Sequence, residues 1–299
     1  MKKDMRILVT GANGQLGYDT LRELAARGYT DVRGIDIEDL DITDEAAVRD
    51  YIGAYRPEVV MHNAAWTAVD KAEENPERVY AVNALGTKYI AEACREVGAK
   101  MLYISTDYVF PGDGDRYYEP QDAKGPLGTY GRTKSDGEDF VQALLDRYFI
   151  VRISWVFGIH GNNFVKTMLR LAETKTELSV VCDQIGSPTY TYDLSGLLCD
   201  MIETEQYGIY HATNEGICSW YEFAAYIFEV AGVTGVRVEP ISTREYAARV
   251  KQAYRPLNSR MSKDKLVAAG FRRLPSWQDA VRRYITEELH KGTGGQIHE

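Results

Sequence analysis

Apolar runs rich in β-branched residues recur along the chain at 6–10, 32–35, 59–62, 101–105, 149–153, 178–181 and 209–212. Runs this short and this continuously apolar predict strands buried on both faces. Helical spacing fills the intervals, as with Leu21, Leu24 and Ala25 closing at Gly28, and Val48, Tyr51 and Ile52 ahead of Pro57. Alternating strands and helices, with connections long enough for crossovers, predict an α/β fold: a doubly wound parallel sheet of Rossmann type.

Beyond about residue 213 the alternation stops. Ser219 and Glu222 have the spacing of a capping box, opening a helix through Phe223, Ile227 and Val230 that closes at Gly232. Ser276 and Asp279 open a final helix through Val281 and Ile285 in the same way. These helices, with an insertion at 154–176, predict a smaller, mostly helical C-terminal substrate domain over the carboxyl edge of the sheet. The expected division is 1–153 and 177–213 for dinucleotide binding, and 154–176 and 214–299 for substrate. The polar, glycine-rich stretch 292–299 is expected to lack order.

Composition narrows the function. A chain of 299 residues with 44% hydrophobic residues buries a large core. A net charge of −9 argues against nucleic acid, which needs clustered cations along a phosphate backbone. No run approaches the roughly 20 apolar residues of a membrane helix, and no leader-like segment precedes the first strand, so no membrane contact and a cytoplasmic location are expected. Cys94, Cys182, Cys199 and Cys218 form no Cys-x-x-Cys pair and read as buried thiols, not zinc ligands or a disulfide framework. A homodimer is the default assembly.

The first strand runs into Gly11-Ala12-Asn13-Gly14-Gln15-Leu16-Gly17, which opens the first helix. Gly11 allows the tight turn, Gly14 the approach of a pyrophosphate and Gly17 close helix packing, while the helix N-terminus offers N–H donors. An ordinary glycine-rich turn is the plainer alternative. Asp36 ends the second strand about 20 residues after the last glycine, where a carboxylate accepts from the ribose hydroxyls of NADH and repels the 2′-phosphate of NADPH. Arg33 is near enough to soften that repulsion. Asp41 and Ile42 fall where the chain reaches an adenine; alternatively Thr43 beside them caps the next helix.

Tyr130 and Lys134 lie four residues apart in a helical segment and so share one face. An ammonium beside a phenol favours the phenolate, and the expected consequence is a lowered tyrosine pKa and a usable proton donor. Ser105-Thr106-Asp107 ends the fourth strand on the same edge of the sheet, where a hydroxyl can bond a substrate carbonyl. A surface pair on the helix and a threonine bonded to backbone are the bland readings of these residues.

Together with Asn63-Ala64-Ala65 after the third strand, these motifs resemble the extended short-chain dehydrogenase/reductase family over nearly the whole chain. More narrowly, Ser-Thr-Asp-Tyr-Val-Phe-Pro-Gly at 105–112, Ser-Trp-Val-Phe at 154–157, Gly-Asn-Asn-Phe at 161–164, Asp-Gln-Ile-Gly-Ser-Pro-Thr at 183–189 and Arg-Pro-Leu-Asn-Ser at 255–259 resemble the dTDP-4-dehydrorhamnose reductases. The resemblance implies NADH- or NADPH-dependent reduction of dTDP-4-dehydro-L-rhamnose. Thr106, Tyr130 and Lys134 would be catalytic. Asn63, Ala64 and Ala65 would join the glycine turn in holding cofactor, and Asp107, Tyr108, Trp155 and Asn163 would contact the dTDP-linked sugar. Trp155 as a core aromatic and Asn163 as a helix cap are alternatives. Related sugar-nucleotide dehydratases carry a glutamate after the aspartate; Tyr108 stands there instead, which suits reduction over elimination. Some of these reductases hold magnesium through glutamates at a dimer contact, but Asp19 occupies the corresponding stretch and no metal is expected. Another nucleotide-linked 4-keto sugar, or a non-catalytic dinucleotide-binding subunit, are the competing functions.

Overall fold

In a computed structural model of the chain, described over residues 3–289, six strands form one parallel sheet. They are β1 (Ile7–Thr10), β2 (Val32–Ile35), β3 (Val59–His62), β4 (Lys100–Thr106), β5 (Tyr148–Ile153) and β6 (Gly208–His211). Their spatial order is β6-β5-β4-β3-β1-β2. The order reverses between β1 and β3, so the crevice beyond the carboxyl ends of those two strands is where this topology seats a ligand.

Side-chain alternation sends each strand's residues into two cores. Ile7 and Val9 pack beneath α1 (Gln15–Ala26) and α6 (Thr191–Ile202), with Leu24, Leu194 and Leu198. Leu8 faces the other way, under α2 (Glu45–Tyr55), α4 (Gly86–Val97) and α5 (Thr129–Leu144), with Val48, Ile90 and Val141. Both faces are thus covered, as continuously apolar strands require. Asp44, not Thr43, caps α2 by accepting from the Ala47 N–H. Thr43 instead donates both its N–H and its hydroxyl to Asp41.

A third core joins Phe157 and Val165 from the insertion with Phe223, Ile227, Trp277 and Tyr284 from the C-terminal region. The Ser219–Glu222 capping box is formed, and the helix Trp220–Ala231 closes at Gly232 with φ +68°. Ser276 caps Trp277–Arg283, and a π-helical turn at Tyr284–Leu289 continues it. One expected strand lies elsewhere: Glu177–Val181 pairs in parallel with Arg237–Ile241 and does not join the large sheet. A buried apolar run specifies a strand but not its neighbour, and Val180 finds its burial in the third core. The strand at 237–241 went unseen because Pro240 and alternating charges mask its pattern.

All four cysteines are free; three are buried and Cys182 is half-buried. Among the described residues no helix is long and apolar enough to cross a membrane. The stretch 292–299 lies outside the described residues.

Candidate active site

Gly11 turns the chain after β1 at φ +67°, and a Cβ there would lie 2.8 Å from the Ala64 backbone that follows β3. The two strand ends therefore meet only because residue 11 lacks a side chain. A Cβ on Gly17 would collide with the Gly11 carbonyl, so α1 sits directly on the turn. Gly14 is the N-cap of α1 and supplies no side-chain acceptor, and no acidic residue stands in the first turn. The first N–H groups, at Gln15 and Leu16, are thus left without a side-chain cap, as an anion site needs. Nearby, the buried Asn63 Oδ1 has no hydrogen-bond partner. These features fit a dinucleotide: a cradle that a Cβ would fill, uncapped donors and an orphaned polar atom nearby.

Asp36 stands at the tip of β2 beside this cradle, its carboxylate accepting from the N–H groups of Asn13 (2.9 Å) and Ile37 (2.9 Å). Arg33 turns away, its guanidinium 4.0 Å from the centre of the Tyr55 ring. Thr43 holds the Asp41 carboxyl below its usual range. Ile42 is buried against Gly86 at the head of α4.

The candidate catalytic residues come together at the end of β4. Tyr130 and Lys134 share one face of α5, and the Tyr130 hydroxyl lies near enough to Thr106 for its electrostatics to be influenced by it. Thr106 bonds the Asp107 carboxylate at 2.9 Å, and Ser259 donates to its other oxygen. Burial nevertheless pushes the Asp107 carboxyl up to about 6. Tyr108 packs edge-on to Tyr130 at 5.4 Å and accepts from Arg255 at 3.3 Å; burial raises its hydroxyl to about 12.

One expectation reverses. Burial raises the Tyr130 hydroxyl well above its ordinary value, with Thr106 working the other way. Lys134 does not rescue the phenolate because it is itself buried, which lowers its ammonium to about 7 despite the nearby Glu138 carboxylate. Desolvation of the charged form dominates at each of them. Tyr130 is therefore a neutral phenol, the form a proton donor needs.

Trp155 has φ +51°, a strained backbone for a bulky residue, and lies flat against Trp220 with ring centres 3.9 Å apart. Asn163 caps the helix Phe164–Ala172 by accepting from the Lys166 N–H, and its amide reaches Gln15, the Gly158 carbonyl and Tyr284. Its side chain thus ties the insertion to the start of α1. Asp19 is buried and bonded by Thr191, with Arg22 at 3.9 Å.

Several supports escaped sequence reasoning. Gly128, the N-cap of α5, offers no side chain, and Glu73 of α3 (Val69–Glu74) takes that role, accepting from the Thr129 N–H (2.6 Å) and hydroxyl (2.9 Å). Asp70 of α3 accepts from Ala253 N–H and from Arg255, holding the segment that reaches Tyr108. Beneath the site, Glu138 is bonded by Ser105 (2.6 Å) and twice by Arg152 (2.8 and 2.7 Å), all fully buried. The Glu138 spacing, one turn past Lys134, was the available signal; its partners lie on other strands.

A parallel sheet with a glycine cradle at its switch point, and a Thr–Tyr–Lys group beside it, defines an oxidoreductase of the short-chain dehydrogenase/reductase type. The family model described as RmlD substrate binding domain matches residues 5–290, and the chain belongs to that family. It is 42% identical over 282 residues to the spore coat polysaccharide biosynthesis protein SpsK of Bacillus subtilis strain 168, covering 94% of this chain and 97% of that one. It is 40% identical to the dTDP-4-dehydrorhamnose reductase of Aggregatibacter actinomycetemcomitans, covering 93% and 97%. Among solved structures, the dTDP-4-dehydrorhamnose reductase of Bacillus anthracis str. Ames in complex with NADP superposes with a TM-score of 0.91 at 44% identity, covering 95% of this chain and 99% of that one.

Proposed function

We propose that the protein reduces dTDP-4-dehydro-L-rhamnose to dTDP-L-rhamnose, with Tyr130 giving a proton to the oxygen at C4. The observation that carries this reading is the placing of Tyr130 beside Thr106 at the strand end next to the glycine cradle, with Lys134 on the same helix face. The dTDP-sugar is taken from the names of relatives about 40% identical over most of the chain. Reduced nicotinamide, when bound, supplies the hydride. Gly11, Asn13, Gly14, Gln15, Leu16 and Gly17 hold its pyrophosphate, Asp36, Asp41 and Ile42 its adenosine end, and Asn63, Ala64, Ala65 and Lys134 its nicotinamide side.

Thr106 and Tyr130 converge on the ketone oxygen. Thr106 orients it and Tyr130 protonates it as negative charge develops. Asp107 holds Thr106 in place, and Tyr108 and Trp155 wall the sugar. Asn163 keeps the insertion loop against Gln15.

The test follows nicotinamide absorbance with the keto sugar generated in situ. Consumption of reduced cofactor with formation of dTDP-L-rhamnose is expected. Tight cofactor binding with no turnover of any nucleotide-linked keto sugar would overturn the reading.

Asp36 sets the cofactor ratio. With Glu38 and Asp39 beside it and Arg33 turned to Tyr55, the β2 tip is acidic where a 2′-phosphate would sit. NADH is expected to be favoured, and Asp36→Ala to raise kcat/KM for NADPH relative to NADH by about tenfold. An unchanged ratio means that Asp36 does not read the ribose.

A further inference from the structure

Lys134 is 2% exposed, yet among the described residues no free carboxylate meets its ammonium. Glu138, one turn further along α5, is occupied by Ser105 and Arg152. Directly against the ammonium is an aromatic face: Lys134 Nζ lies 4.1 Å from the centre of the fully buried Tyr103 ring. We infer that Tyr103 is a positioning residue for Lys134, its ring face holding the desolvated ammonium beneath the site. This rests on the catalytic reading above and adds to it a role for a residue that touches neither cofactor nor substrate.

Three further observations show that the ring is itself fixed. The Tyr103 hydroxyl donates to the Lys134 carbonyl at 3.4 Å. A Cβ on Gly137 would collide with that hydroxyl, so α5 leaves a gap where the tyrosine needs one. On β3, the sheet partner of Tyr103 is His62, whose ring stacks on it with centres 5.7 Å apart.

His62 is held in one neutral tautomer. The Thr87 hydroxyl donates to the Asn83 carbonyl at 2.7 Å, so its contact with His62 Nε2 at 3.1 Å requires Nε2 to donate. His62 Nδ1 then accepts from Thr10 at 2.7 Å. Burial and the Lys134 charge push its pKa to about 3, so His62 stays uncharged and adds no repulsion. The groups around Lys134 are therefore Tyr103 from β4, neutral His62 from β3, and Tyr130 and the paired Glu138 from α5. With the ring as its immediate neighbour, the ammonium depends on the ring's negative face for stabilisation, an interaction that strengthens on desolvation.

The experiment compares Tyr103→Phe, Tyr103→Leu and trifluorophenylalanine at position 103 in the full chain without cofactor. The last keeps the ring's shape and drains charge from its face, so it tests the idea even if the leucine variant fails to fold. Lysine side-chain NMR reads the titration of Lys134, assigned with Lys134→Arg. Tyr103→Phe is expected to keep the parent midpoint near 7. The fluorinated and leucine proteins are expected to titrate about one unit lower, with kcat reduced about tenfold. Equal midpoints for phenylalanine and trifluorophenylalanine would overturn the inference, as would equal shifts in Tyr103→Phe and Tyr103→Leu. Because the titration needs no turnover, failure of the catalytic reading registers separately, as undiminished activity in Tyr130→Phe.

Discussion

Tyr130→Phe should lower kcat by about a hundredfold or more while leaving NADH and NADPH affinity nearly unchanged, because a positioned general acid contributes about 10²–10⁴ in rate. The phenylalanine keeps the ring that packs edge-on against Tyr108 and removes only the hydroxyl beside Thr106. The cofactor contacts proposed for the glycine cradle and Lys134 are left intact. Single-turnover kinetics separate the hydride step from binding, and the loss belongs in that step. Turnover within a few-fold of the parent would remove Tyr130 from its role and leave water or Thr106 as the proton source. Burial holds the Tyr130 hydroxyl protonated, so no loss of the donor is expected between neutral pH and the ordinary tyrosine range.

The second large effect falls on stability. Arg152→Met should destabilise the protein by about 3–5 kcal/mol, because it strands the Glu138 carboxylate, 0% exposed, without its principal partner. The double replacement Arg152→Met with Glu138→Leu should recover most of that loss, since removing both charges also removes their desolvation cost. Urea unfolding of the parent, single and double variants gives the comparison. A single variant as stable as the parent would mean that Lys124, 3.7 Å from Glu138, compensates the charge alone. A double variant as unstable as the single one would shift the weight to the Arg152 bond with the Pro120 carbonyl.

The pair lies under the site for a reason visible in the register. Ser105 of β4 faces Arg152 of β5, and Glu138 reaches both from α5. Next to them in the chain are Thr106 and, one helical turn back, Lys134. The same charge cluster therefore sets the height of α5 over the strand end that carries Thr106. Glu73 fixes the other end of that helix, one residue before Tyr130. The helix that carries Tyr130 and Lys134 is thus held at its N-terminus by α3 and in its middle by two strands.

Local rules reached the residues whose partners are near in sequence. The glycine turn follows from a strand, three spaced glycines and a helix; the Tyr130–Lys134 face follows from helical period; and the Ser219–Glu222 box follows from its spacing. The direction of the electrostatic shift at Tyr130 was not legible from spacing. The four-residue spacing put an ammonium near a phenol, but burial, which no spacing reveals, reversed the direction at Tyr130 and lowered Lys134 to about 7.

The sequence by itself determined the strands of the large sheet, the cradle for a dinucleotide and the three residues that meet at the end of β4, because periodicity, turn chemistry and helix geometry act over a few residues. Tertiary structure alone decided which strand Glu177–Val181 would join and that Glu73 would cap α5. It also decided that Thr10, His62 and Tyr103 would stand in one row across β1, β3 and β4 beneath Lys134. Residues 10, 62 and 103 are brought together only by hydrogen-bond register between strands far apart in the chain. That register is set by burying both faces of the sheet at once.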